Sequence, residues 1–227
     1  MRTNGIILFL VGTFALMFSG CSKDEEAQPE VKLPSIAKDS TLVDVPDKLQ
    51  NPTNKELTLA ASVFNAINEI SSTARMMLPP KEASTFHADI PGAVAYTWSA
   101  EGMTYWFTYH TRNDTCYWKV EIDMGEGRTP YIEGKESCDG KSGEIILYGE
   151  GLTPFSAQWN YDSDGNLTFK IQSGLYMMRG TLNADGSGSA KVYFGGNLAM
   201  EIWWNADGSG HYKYYMSYPP SEGSWSS

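Results

Sequence analysis

Three short strings constrain this chain more than anything else in it: Asp162-Ser163-Asp164-Gly165, Asn183-Ala184-Asp185-Gly186 and Asn205-Ala206-Asp207-Gly208. Each sets an Asx side chain, able to bond nearby backbone N–H groups, three places before a glycine that enters the left-handed region without steric cost. This is the chemistry of a type I turn closed by glycine, a common tip for an antiparallel hairpin. The tip glycines lie 21 and 22 residues apart, and the chain turns back at Ser173-Gly174 and at Gly195-Gly196-Asn197. Hairpins joined by short turns at both ends make a meander of sequential neighbours.

Counting outward from each turn predicts a register, and the register sorts the side chains. One row reads Ala157, Ile171, Tyr176, Phe194, Leu198 and Met216, the next Trp159, Phe169, Met178, Val192, Met200 and Tyr214. Both are apolar. Near the tips, Leu182, Gly188, Trp204 and Gly210 align, which gives Trp204 room between two glycines. The intervening rows are wet; Asn160, Thr168, Arg179, Lys191, Glu201 and Lys213 form one of them, with Glu201 between two lysines.

Upstream the turns are less regular, and alternation alone predicts strands over 94–98, 103–111, 116–124, 130–138 and 144–148, for about eleven in all. A hairpin centred on Gly127 would set Cys116 opposite Cys138, within disulfide reach. The same register sets Lys119 opposite Lys135 and Glu121 opposite Glu133, an unfavourable pairing that a bulge near Gly134 would relieve. Before the strands, Thr53 and Glu56 have capping-box spacing. Leu57, Ala60, Ala61, Phe64, Ile67, Ala74 and Leu78 then recur at helical spacing, with Thr58, Ser62 and Asn65 on the opposite stripe, until Pro79-Pro80 stops the helix. A long twisted sheet curls, and its apolar face needs a cover. The expectation is therefore a mainly β domain: a strongly curved antiparallel meander, half-barrel or barrel, packed on one N-terminal α-helix.

The N-terminus reads as an address. Arg2 precedes an apolar run over 6–18 that is short for a membrane span, and small residues follow. Residues 1–20 are expected to be a signal peptide and 21–53, with four prolines and scattered charge, a flexible tether. The domain then spans 54–218, and 219–227 is expected to be a disordered tail. The formal charge of -10 argues against a nucleic-acid partner.

Phe18-Ser19-Gly20-Cys21 resembles a bacterial lipobox, and Ser22-Lys23-Asp24-Glu25-Glu26 resembles the acidic export tag of Bacteroidota surface lipoproteins. These resemblances imply acylation, palmitate included, at Cys21 and a lipid-anchored place at the outer membrane, on its periplasmic face or at the cell surface. In element order alone the domain is similar to the Lol lipoprotein carrier and receptor family, an open barrel with helices against its concave face. No functional residue follows from that outline.

Catalytic and metal-site patterns are missing from the sequence. His87, His110 and His211 form no zinc-ligand pair, Gly140-Lys141-Ser142 reads as a turn, and the half calcium loop at Asn160, Asp162 and Asp164 meets Ile171 where a carboxylate is needed. No catalytic residue, metal or cofactor is assigned. Tyr193, Trp203, His211, Tyr215 and Met177 fall on rows that alternation turns to solvent, where exposed aromatics mark a contact surface for a glycan, lipid or protein. Three functions follow in order: a non-catalytic binding or assembly module; a carrier of lipid or amphiphile between sheet and helix, lined by methionines such as Met76, Met77, Met178, Met200 and Met216; and a hydrolase using carboxylates such as Glu121, Asp123 or Glu133.

Overall fold

The computed structural model describes residues 78–149 and 153–226, together with Thr58, Ala61 and Asn65. The expected signal peptide, Cys21, the expected tether and most of the expected helix lie outside the described residues. Thr58, Ala61 and Asn65 are helical, with Ala61 buried and the other two exposed, the division that the two stripes require. Among the described residues, no helix is long and apolar enough to cross a membrane.

The domain is mainly β, an antiparallel meander. Among the described residues, thirteen strands form one sheet in sequence order: β1 (Ser84–Thr85), β2 (Val94–Ala100), β3 (Met103–Arg112), β4 (Thr115–Asp123), β5 (Thr129–Ser137), β6 (Ser142–Leu147), β7 (Phe155–Tyr161), β8 (Leu167–Ser173), β9 (Tyr176–Leu182), β10 (Gly188–Phe194), β11 (Asn197–Trp204), β12 (Gly210–Tyr214) and β13 (Ser221–Trp225). The sheet is open, since β1 and β13 do not pair with each other. Two strands exceed the expected eleven. One is the short β1; the other is β13, which corrects the expected disordered tail. Trp225 explains the order at that end: its ring packs over Gly210 and its indole N–H donates to the Gly208 carbonyl at 2.7 Å.

The three tips fold as their chemistry requires. Gly165, Gly186 and Gly208 have φ of 83°, 86° and 83°. Each tip closes with the same pair of backbone bonds, as in Asn205 N–H to Ser209 O and Gly208 N–H to Asn205 O, at 2.8 and 2.9 Å. Trp159, Phe169, Val192 and Ile202 all point to one buried face, and Val192, Met200 and Ile202 have no accessible surface.

The rows need two corrections. A bulge between Val192 and Tyr193 sets Phe194 opposite Asn197 and Leu198 opposite Tyr193, in place of Phe194 opposite Leu198. The turn after β8 is centred on Gly174-Leu175, so Ile171 faces Met178 rather than Tyr176, and Phe169 faces Gly180 rather than Met178. The slip is two residues, an even number, so no side chain changes face. Tyr176 and Met216 are exposed at the turn ends, instead of completing the core row.

A recurring contact locks the tips to the sheet. Gly134, Gly143, Gly188 and Gly210 sit beneath the rings of Trp118, Trp159, Trp204 and Trp225, so closely that a Cβ at any of them would overlap the indole. Three of these indoles donate to the carbonyl of a turn glycine: Trp159 to Gly140 at 3.4 Å, Trp204 to Gly186 at 3.0 Å and Trp225 to Gly208 at 2.7 Å. Trp118 Nε1 is buried with no hydrogen-bond partner.

The β4–β5 hairpin also departs from its expected register. A bulge between Val120 and Glu121, rather than near Gly134, sets Cys116 opposite Glu136 and Lys119 opposite Glu133. The like-charge pairing expected from the sequence is thereby removed. Cys138 is not directly opposite Cys116; its N–H bonds the Asp114 carbonyl at 2.9 Å, just beyond the strand. Even so, the two Sγ atoms lie 2.7 Å apart.

Candidate functional site

Two areas of the wet face carry chemistry. The first lies on β9–β12 and contains the surface residues singled out from the sequence. Met177 pairs with Tyr193, and Trp203 pairs with His211, their rings stacked at 4.6 Å. The Arg179 guanidinium sits 4.9 Å from the centre of the Tyr193 ring, and its Nε donates to the Tyr193 hydroxyl at 3.1 Å. Tyr215 is tied to Glu201 through its hydroxyl. Glu201 also meets Lys191 Nζ at 2.7 Å. The Lys191 bond, then the Tyr215 hydroxyl, hold the Glu201 carboxyl below the usual range, and Glu201 in turn raises Tyr215 and Lys191. All five residues thus share one face, as alternation implies. They form a lattice of stacked rings and paired charges, with a groove beside Trp203, His211, Lys213 and Glu222.

The second area is a cleft of ≈ 570 Å³ on the wet side of β3–β6. Its floor is two adjacent rows. One runs Thr108, Lys119, Glu133, Ile146, and the other His110, Tyr117, Lys135, Glu144. Its wall is residues 86–90, between β1 and β2. Arg128, in the β4–β5 turn, joins wall to floor: its guanidinium carbon is 4.1 Å from the centre of the Trp106 ring and 5.6 Å from that of Phe86. A cation over two ring faces is a favourable quadrupole contact.

Charges on the floor are matched in place. Lys119 Nζ lies 3.0 Å from Glu121 and 3.6 Å from Glu133, and Lys135 Nζ lies 2.8 Å from Glu144. The Tyr148 hydroxyl donates to Glu133 at 2.9 Å, and Gln158 Nε2 donates to Glu144 at 3.2 Å. The Lys135 bond holds the Glu144 carboxyl below its ordinary value, and the same bond raises Lys135. Tyr148 is raised first by burial and then by Glu133. Beside these pairs, the His110 and Tyr117 rings stack at 4.9 Å with planes 7° apart.

The carboxylates considered for hydrolysis have other employment here. Glu121 and Glu133 share Lys119. Asp123 accepts from the N–H groups of Gly125 and Gly127 at 2.7 and 2.9 Å, which lowers its pKa. A general acid working near neutrality needs the opposite shift. Among the described residues, no three His, Cys, Asp or Glu side chains gather into a metal site.

The cysteine pair forms a separate polar cluster at the edge of the core. Tyr109 donates to Cys116 Sγ at 3.2 Å, and the Thr111 hydroxyl donates to Tyr109 at 3.3 Å. Burial, then the Cys116 contact, push the Tyr109 phenol up to about 12.

The cleft is what sequence reasoning missed. Alternation already turns His110, Tyr117, Lys119 and Lys135 to solvent together. The wall has no periodic signal, and only the fold places His87 and Ile90 over that floor. Compared with known proteins, the chain matches no family model and no curated sequence.

Proposed function

We propose that this chain is a lipid-anchored binding module of the bacterial outer membrane, without catalytic chemistry, tethered through an acylated Cys21. The observation that carries the reading is the wet face of the sheet. Its charged and aromatic groups are already paired and stacked, so little side-chain freedom remains to be lost when a partner docks. The cleft over β3–β6 and the Trp203–His211 patch are two places where that face offers aromatic surface. Carriage of an amphiphile against the apolar face is less well supported, because Met178 and Met200 have no accessible surface against which a tail could lie.

Two experiments test this. Replacing Cys21 with Ala is expected to abolish palmitate labelling and move the chain from the membrane to the soluble fraction; unchanged fractionation would remove the anchor. The mature lipoprotein in detergent, probed on an array of neutral glycans, acidic glycans, lipopolysaccharide and phospholipids, is expected to bind at least one class. Binding to none would remove the module.

A further inference from the structure

We infer that the cleft over β3–β6 is a site for a neutral glycan of one or two pyranose rings, an assignment that rests on the binding-module reading. The size of the cleft, ≈ 570 Å³, lies inside the range of roughly 300–1,000 Å³ typical of small-molecule sites. Its composition then selects among ligands.

Apolar ligands are disfavoured by the floor, where two lysines and two glutamates interleave with the rings. Charged ligands are disfavoured by the pairing of those groups. Lys119 already has Glu121 and Glu133, and Lys135 has Glu144. An incoming ion would have to displace a partner already in place, and would gain little more than that partner supplies. Hydroxyl groups meet no such obstacle. Each donates once and accepts twice, so a polyol bridges an ammonium and a carboxylate without separating them.

The rings supply the remaining requirement. His110 and Tyr117 make a near-parallel stack, in which each ring keeps one face turned away from the other, and the pair lines the cleft and stays half-buried. One side of a pyranose is a flat array of C–H groups with little polar surface, and such a face packs on an aromatic plane while its hydroxyls reach outward. Here those hydroxyls would meet Lys135 and Glu144 in the same row, and Lys119 and Glu133 in the next. Phe86 and Trp106, clamped by Arg128, hold the wall at the distance that defines the slot.

The array above supplies the ligand class, and calorimetry with the best neutral disaccharide, maltose and cellobiose among the probes, supplies the site. The expected result is saturable binding of a neutral glycan that weakens about fivefold or more in Tyr117→Ala, persists in Tyr117→Phe, and is unchanged in Trp203→Ala. His110→Ala gives an independent reading should Tyr117→Ala fail to fold. Binding unaffected by Tyr117→Ala and His110→Ala, or abolished by Trp203→Ala, would overturn the assignment to this cleft. Binding of acidic glycans or lipids with no neutral glycan bound would overturn the ligand class and leave the module reading standing. Binding of nothing on the array would overturn both.

Discussion

The two halves of this sheet reach the same architecture by different routes. From β7 to β13 the chain repeats an Asx-capped tip. At Gly186 and Gly208 it adds a glycine under a tryptophan and an indole N–H returned to the turn carbonyl, a tie that the β5–β6 turn shares through Gly143, Trp159 and Gly140. From β2 to β6 the tips differ from one another. Glu101, Asn113 and Asp114 adopt positive φ without being glycine, a bulge interrupts β4–β5 as another does β10–β11, and Trp118 has the packing of its counterparts without their hydrogen bond. The irregular half holds the cleft and the cysteine pair. A regular hairpin array leaves a flat wet face, whereas a floor of mixed rings and charges with a covering segment arises where regularity stops.

The largest effect that separates the halves should come from the tryptophans. Trp204→Ala is expected to cost about 4 kcal/mol in urea denaturation, since it empties a core position and also frees the Gly186 carbonyl. Trp118→Ala removes similar packing but no hydrogen bond, and should cost less by about 1 kcal/mol. Equal losses would show that the indole bonds to the tips do not distinguish the two regions.

Next comes the cysteine pair. Intact-mass measurement without reductant is expected to find the chain two hydrogens lighter than after reduction, and reduction should cost about 3 kcal/mol on the entropic account. An unchanged mass would leave the irregular half without that brace. Gly188→Ala should follow at about 2 kcal/mol, because its Cβ would overlap the Trp204 ring. Gly186→Ala, at a tip with open space around it but φ of 86°, should cost about 1 kcal/mol. A reversed order would mean that backbone strain, not overpacking, governs the repeat.

The smallest effect is that of pH on the tips. Asp162, Asp185 and Asp207 are held below their ordinary values, by the Asn166 amide and by the Ser187 and Ser209 hydroxyls respectively. A depressed folded value means that the contribution is complete above the unfolded pKa near 4 and is lost as pH falls through the folded value. Melting temperature should therefore be insensitive to these groups between pH 5 and 7 on this scale, roughly, and fall below about pH 4. Solvent screening keeps the effect small. The double variant Asp185→Asn, Asp207→Asn should show a shallower fall, and an unaltered profile would remove these two tips as a source of acid sensitivity.

What was legible in the sequence follows the same division. Gly165, Gly186 and Gly208 sit at recognisable tips, so counting from them placed Trp204 between Gly188 and Gly210 and turned Val192 and Ile202 inward. The slip at Ile171 arose because Ser173-Gly174 and Gly174-Leu175 are both plausible two-residue turns, and alternation is blind to an even shift. Around Gly127 a second turn glycine, Gly125, and a bulge were possible, so local chemistry could not choose a register; the Lys119–Glu133 contact chose it. The floor of the cleft was readable as wet rows. Its wall was not, because Phe86 to Ile90 obey no period and are positioned by Arg128, a contact made across the fold. Trp203 and His211 were correctly paired, since both lie in the half whose register the tips dictate.

The ties between indoles and tips give the molecule a set of internal reporters. Of its seven tryptophans, Trp159, Trp204 and Trp225 each lend their ring proton to a different turn. Exchange of those three protons with deuterium, followed as separate nuclear resonances, would time the opening of individual hairpins without any added label. Three matching rates would describe a sheet that opens as one body, and three distinct rates a ribbon that peels from an end.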